Sequence, residues 1–153
     1  MLKITKFFSN NKKFILDQSG KSPAFFLRHK NVKINNIFFN NLIKFSKLNK
    51  NVNCRICLHQ SKNEKLHSMI VLINSKNDFN IHRHLETPEM YQLIKGTIKI
   101  NIFNNKKNKV KTIIMKKKNE IFSVNKNQYH IVIPETRYAI FHETKFRIYD
   151  KKK

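Results

Sequence analysis

Two histidines one residue apart, His82 and His84 in Ile81-His82-Arg83-His84, throw both imidazoles to the same side of an extended backbone, because side chains on such a backbone alternate with a period of two. Four residues separate His84 from Glu89, and six more separate Glu89 from Gly96. The carboxylate at the start of the following strand can fold back beside the imidazoles, and Gly96 permits a positive-φ turn after it. A third imidazole, His130, comes later within another strand-like stretch. Three neutral imidazoles and one carboxylate form a mixed nitrogen and oxygen shell of borderline softness. That shell suits one divalent transition metal, whether Fe(II), Mn(II), Ni(II), Co(II) or Zn(II), and suits Ca(II) poorly. An octahedral ion so held keeps two positions open for water or substrate oxygens. A histidine pair alone on a strand is more often a surface or core feature. It is Glu89, Gly96 and His130 at these spacings that turn the reading toward a metal.

These residues need strands to hold them. The period of two is clearest at Thr97 to Phe103, where Ile98, Ile100 and Ile102 alternate with Thr97, Lys99 and Asn101. Further short, turn-separated strand candidates are Arg55 to His59, Ser68 to Asn74, Met90 to Lys95, Val110 to Met115, Glu120 to Val124, Tyr129 to Ile133, Tyr138 to Glu143 and Phe146 to Tyr149. Such a series predicts an all-β barrel or sandwich. Ile34, Ile37, Phe38, Leu42 and Phe45 recur instead at three- and four-residue spacing, so a short amphipathic helix is expected over residues 34–45. Residues 1 to about 33 are basic and aperiodic apart from phenylalanine clusters, which predicts extended or loosely packed structure. The organisation expected is an N-terminal extension at 1–53 and one globular barrel at 54–150.

The stretches holding the chemistry resemble the paired metal-binding motifs of the cupin superfamily. The first motif matches at His82, His84, Glu89 and Gly96 and the second at His130, while Asn119, Asn125 and Asn127 stand where cupins usually carry Gly, Pro and Gly. A closer resemblance, over roughly residues 34–146, is to the WbuC-like cupin-fold metalloproteins. It runs through Arg55-Ile56-Cys57-Leu58-His59, Leu66-His67-Ser68-Met69-Ile70, His82 to Gly96, His130 to Pro134 and Phe141-His142-Glu143-Thr144. The family's Gly-Pro turn after His-Glu-Thr is missing, and Lys145-Phe146-Arg147 stands there instead. The resemblance implies a mostly-β cupin fold, a double-stranded β-helix or jelly-roll barrel, with a short N-terminal helical segment. It also implies metal ligation by His82, His84, Glu89 and His130, and a sugar or nucleotide-sugar partner from lipopolysaccharide or O-antigen biosynthesis. An isomerase- or epimerase-like activity and a homodimer are both compatible with it. The same ligands in a non-catalytic sugar- or metal-binding module are the alternative.

Other polar residues are weighed against that site. Arg55, Cys57 and His59 share one face if their stretch is a strand, so Arg55 could hold an anionic group of the substrate and His59 transfer a proton; a covered sheet face is the competing reading. His142 and Glu143 point to opposite faces of one strand, so at most one enters the barrel, and His59, His142 and Glu143 are the catalytic candidates. Cys54 and Cys57 form a lone C-x-x-C, read as two half-buried strand cysteines rather than a redox or zinc site.

The formal net charge of +23 invites a nucleic-acid or anionic-surface reading. Against it, 27 Lys, 21 Asn and 20 Ile are residues that AT-rich codons specify, and only 5 cations are the arginines favoured for phosphate and base recognition. A nucleic-acid partner is therefore disfavoured, though it stands as the third reading. The longest apolar run, Met69 to Ile73, is far short of a membrane span, and no apolar segment near the start has signal-peptide length. A soluble, cytoplasmic protein is expected.

Overall fold

The computed structural model describes residues 2–10, 12–29 and 31–146. Ten strands and one helix follow in the order β1 (Phe14–Asp17), β2 (Ala24–Leu27), α1 (Asn36–Leu48), β3 (Cys54–Cys57), β4 (Leu66–Asn74), β5 (Glu89–Lys95), β6 (Ile98–Phe103), β7 (Lys109–Met115), β8 (Ile121–Val124), β9 (Tyr129–Pro134) and β10 (Tyr138–Phe146). They form a seven-stranded sheet ordered β1-β2-β3-β4-β10-β5-β8 and a three-stranded sheet ordered β7-β6-β9. The mostly-β class is as expected. Two expected strands, Tyr138 to Glu143 and the start of Phe146 to Tyr149, are one continuous strand through Lys145. Residues 147–149 of the second lie outside the described residues.

The seven-stranded sheet is apolar on both faces. Along β4, Ile70 and Leu72 face the helix side, while Met69, Val71 and Ile73 share the other face, Ile73 and Val71 packing toward the small sheet and Met69 against Ala24, Phe26 and Cys57. On the helix side, α1 buries Leu42 and Phe45 against Phe8, Phe14, Phe25 and Ile56. Phe25 stacks on Phe8 with centroids 3.9 Å apart and meets Phe45 edge-on at 4.9 Å. Each fully buried ring contributes on the order of 2–3 kcal/mol. The first 33 residues are thus not loosely packed. β2 pairs in parallel with β3 and is buried along its whole length, so it shows no alternation in sequence. The helix begins and ends slightly later than expected. Asn35 caps it by accepting from the Ile37 amide at 3.0 Å, which leaves Ile34 outside the helix and Ile37 exposed on its first turn.

Gly96, Asn119 and Asn127 are among the seven described residues with left-handed backbone, and each sits in a turn near the site motifs. Gly96 has φ +83°, and a Cβ there would lie 2.6 Å from the Tyr138 carbonyl, so both conformation and space demand glycine. Asn119 (φ 72°) and Asn127 (φ 58°) adopt the conformation expected where relatives of the motif carry glycine. Lys106, Lys107, Lys109 and Lys111, and Lys116 to Lys118, are exposed on the β6–β7 hairpin and the turn after β7.

Candidate metal centre

The concave face of the large sheet is read from its register. Lys145 opposes Glu89 and Glu143 opposes Tyr91 across β10 and β5, while Glu143 opposes Met69 and Phe141 opposes Val71 across β10 and β4. Val71 opposes Arg55 on β3. Direct partners share a face, so one wall carries Glu89, Tyr91, Glu143, Lys145 and, at its far side, Arg55. A cavity of about 580 Å³ opens on it.

His82 and His84 reach this cavity from the chain before β5. The expected strand is reduced to an extended segment with a single bridge, His82 to His130, closed by backbone bonds of 3.0 and 2.8 Å. The i, i+2 geometry survives because the backbone remains extended. Donor atoms of His82, His84 and Glu89 all lie within 4.8 Å of one another. His130 stands against the same carboxylate, its Nε2 3.0 Å from Glu89 Oε2.

The protonation pattern suits ligation. Nδ1 of His82 is 3.1 Å from the Asn80 carbonyl and Nδ1 of His130 is 2.9 Å from that of Gln128, so each can donate there and leave its Nε2 lone pair facing inward. His82 is held below the usual imidazole pKa, chiefly by burial. His84 Nε2 lies 3.3 Å from Glu89 Oε1 but not along a hydrogen-bond direction, and it is buried without a hydrogen-bond partner among the described residues. An orphaned ring nitrogen, a second neutral imidazole and a carboxylate are the donor set that a divalent transition metal takes. The 3.0 Å between His130 Nε2 and Glu89 Oε2 is also the spacing of two cis donors each about 2.1 Å from one ion.

Glu89 is the hub. It is 2% exposed, accepts from the Tyr91 hydroxyl, and pairs with Lys145 Nζ at 2.7 Å. Burial alone would raise its pKa, but the His130 and His84 rings and the Lys145 charge beside it outweigh that and hold it well below the ordinary carboxylate range. Lys145 also reaches Glu143 at 3.0 Å. Glu143 is shifted upward, first by burial and then by the Glu89 charge. Tyr91 is driven well up, by burial first and the same charge second.

The other expected residues are placed as follows. Of His142 and Glu143, it is Glu143 that enters the cavity. His142 lies on the opposite face, its Nε2 2.7 Å from Ser68 Oγ. His59 sits beyond the end of β3, stacked on His67 at 4.3 Å, and does not line the cavity. Arg55 lines it. Cys54 and Cys57 are free and buried on opposite faces of β3, more deeply than half-buried strand residues; burial pushes the Cys57 thiol up to about 11. Arg83 stacks over the Tyr129 ring at 4.5 Å, away from the site. Sequence reasoning missed Tyr91 and Lys145. The alternations Glu89-x-Tyr91 and Phe141-x-Glu143-x-Lys145 carried the signal.

The family described as a domain of unknown function (DUF6016) matches residues 34–115. No curated protein matches the chain by sequence. Among solved structures, Fe(II) HppE is similar with a TM-score of 0.52 at 17% identity, covering 63% of this chain and 52% of that one. The hydroxypropylphosphonic acid epoxidase from S. wedmorenis gives 0.51 at 18% identity, covering 60% and 49%. A cupin-2 domain containing protein from Shewanella frigidimarina gives 0.46 at 15%, covering 61% and 79%. The chain spans about half the length of the epoxidase structures it matches. Likeness at these identities concerns the fold alone, and the fold is the cupin fold that the resemblance implied.

Proposed function

The chain belongs to the DUF6016 family, and we propose that it is a metal-dependent cupin acting on a small polar substrate, a sugar or nucleotide-sugar of surface-polysaccharide biosynthesis. The observation that carries the metal is the close approach of His82, His84 and Glu89 donor atoms, with His84 Nε2 buried and unpartnered. His130 completes the ligand set. The similar HppE structures are of the Fe(II) and Co(II) forms, which supports a divalent ion of that class. The substrate class is supported by the WbuC-like motifs.

A divalent ion held there supplies a Lewis acid for a substrate hydroxyl or carbonyl and lowers the pKa of bound water. The chain's own contribution is positional. The carbonyls of Asn80 and Gln128 fix the ring tautomers, and Tyr91 and Lys145 fix the Glu89 carboxylate. Glu143 is the proton-transfer group, since its carboxylate opens on the cavity and burial makes it a stronger base than an ordinary glutamate. Among the described residues no helix is long and apolar enough to cross a membrane.

Elemental analysis and native mass spectrometry test the reading. About one transition-metal ion per chain is expected in the wild type and none in His84→Ala, with the circular dichroism of a folded sheet in both. A wild type that takes up no Fe(II), Co(II) or Zn(II), or a His84→Ala variant that keeps full occupancy, overturns it.

A further inference from the structure

Three lysine and arginine cations line the cavity among the described residues: an exposed Lys21, Lys145 and Arg55. Lys145 is committed to Glu89 and Glu143. Arg55, half-buried in the middle of the large sheet, has no carboxylate within ion-pairing distance among the described residues, and its hydrogen bond is to a neutral hydroxyl, Ser22 Oγ, at 3.0 Å. A guanidinium carries a fixed charge and a planar fork of donors, and placing it on a concave wall without an anion forfeits the pairing that such a wall strengthens.

The surroundings are shaped for it. Arg55 borders the main cavity and also an annex of about 220 Å³ shared with Glu143, Lys145 and His67. The turn between β1 and β2 comes up behind the guanidinium: a Cβ at Gly20 would stand 3.3 Å from Arg55 Nη2, and Lys21 and Ser22 line the same cavity. Strand order puts β4 and β10 between β3 and β5, and the register aligns Arg55 with Leu93 rather than with Glu89, so Arg55 and Glu89 originate three strand steps across and four residues along the sheet from one another, roughly 19 Å. Both side chains shorten that gap from its two ends. What fits between them is an elongated molecule several bonds long, with one end facing the imidazoles and the other facing the guanidinium.

We propose that this wall is an oxyanion subsite, in which Arg55, backed by Gly20 and flanked by Ser22 and Lys21, takes the carboxylate or phosphate of a small organic anion whose other end faces His82, His84 and Glu89. The inference deepens the metal-site reading and rests on it only for the ligand's far end. A planar two-donor grip on two oxygens of one group is what arginine provides and lysine does not. The lysines of the hairpins supply charge to the surface as a whole, whereas this guanidinium supplies direction.

The test is a side-chain NMR titration of the full chain, metal-free and Zn(II)-loaded, with inorganic phosphate and separately with acetate as the bare groups. The Arg55 Nε–H signal, assigned by its loss in Arg55→Met, should shift and saturate at millimolar concentrations of one probe. The other four arginines of the chain should move little and without saturation. Arg55→Met should weaken probe binding at least tenfold, and Arg55→Lys should restore only part of it. Phosphate saturating alone assigns a phosphorylated ligand, and acetate saturating alone a carboxylate. An Arg55 signal that stays still, or moves in step with the other arginines, overturns the subsite. Histidine ring signals unaltered by Zn(II) would count against the metal reading instead, so the two failures are separable.

Discussion

Both faces of the seven-stranded sheet carry an apolar layer, and they differ at one end, where one of them turns polar. Toward the helix, Phe8, Phe14, Phe25, Phe45 and their aliphatic neighbours close an apolar layer. Toward the small sheet, the apolar layer of Leu93, Ile98, Ile100 and Phe141 gives way at one end to Glu89, Tyr91, His130, Glu143 and Lys145. The first face supplies stability that is insensitive to ionisation. The second spends some of it to hold charged groups out of water, which is tolerable only because each carboxylate has cationic or hydrogen-bonding partners.

The contrast is broken most severely from the apolar side. Phe25→Ala should lose about 4 kcal/mol, since it removes a fully buried ring that contacts Phe8 and Phe45. Chemical denaturation measures it, and a loss below about 2 kcal/mol would mean that the layer is not close-packed. On the polar side, Lys145→Met should cost about 3 kcal/mol in the metal-free protein, because Glu89 and Glu143 lose their shared counter-ion. Zn(II) should recover part of that cost by replacing the missing charge beside Glu89, visible as a larger metal-induced rise in melting temperature than in the wild type.

Those two residues also mark what sequence could and could not disclose. The histidine pair, Glu89 and Gly96 are readable because extended backbone converts spacing directly into facing. Lys145 is hidden because a charged residue after a strand looks like its solvated end, and only pairing with β5 reveals that the strand continues inward. Phe25 is hidden for the converse reason. A four-residue strand buried on both faces has no period, and its partner β3 lies beyond an intervening helix. The Asn119 and Asn127 turns were readable from residue type, through asparagine's tolerance of positive φ.

Smaller effects refine the comparison. Gly96→Ala should cost about 2 kcal/mol from forced backbone strain, with the Tyr138 carbonyl displaced; an unchanged denaturation midpoint would contradict the φ of +83°. His59 and His142 are both held below the usual imidazole value by burial. Their contribution is present above the unfolded value of about 6.5 and is lost as pH falls through it toward their folded values. The denaturation midpoint of the metal-free protein should accordingly drop between pH 7 and 5, less steeply in His142→Gln, while the Phe25→Ala penalty stays constant. A midpoint that rises on acidification would refute the assignment. Asn119→Gly and Asn127→Gly should be neutral or stabilising by at most about 1 kcal/mol, and a loss at either would show that its side chain does more than tolerate the turn.

Strand β10 lies between β4 and β5 although it follows both in the chain. Glu89 is therefore separated by 41 residues from His130 and by 56 from Lys145, the groups that surround it when folded. A ribosome adding 5–20 residues per second needs about 3 to 11 seconds to supply Lys145 after Glu89. Throughout that interval the carboxylate is solvated and the bowl has no floor. Such long-range closure is also the slow step of β-topologies once the chain is free. The proposed ion would thus be captured at the end of folding, meeting a finished cavity rather than guiding a nascent one.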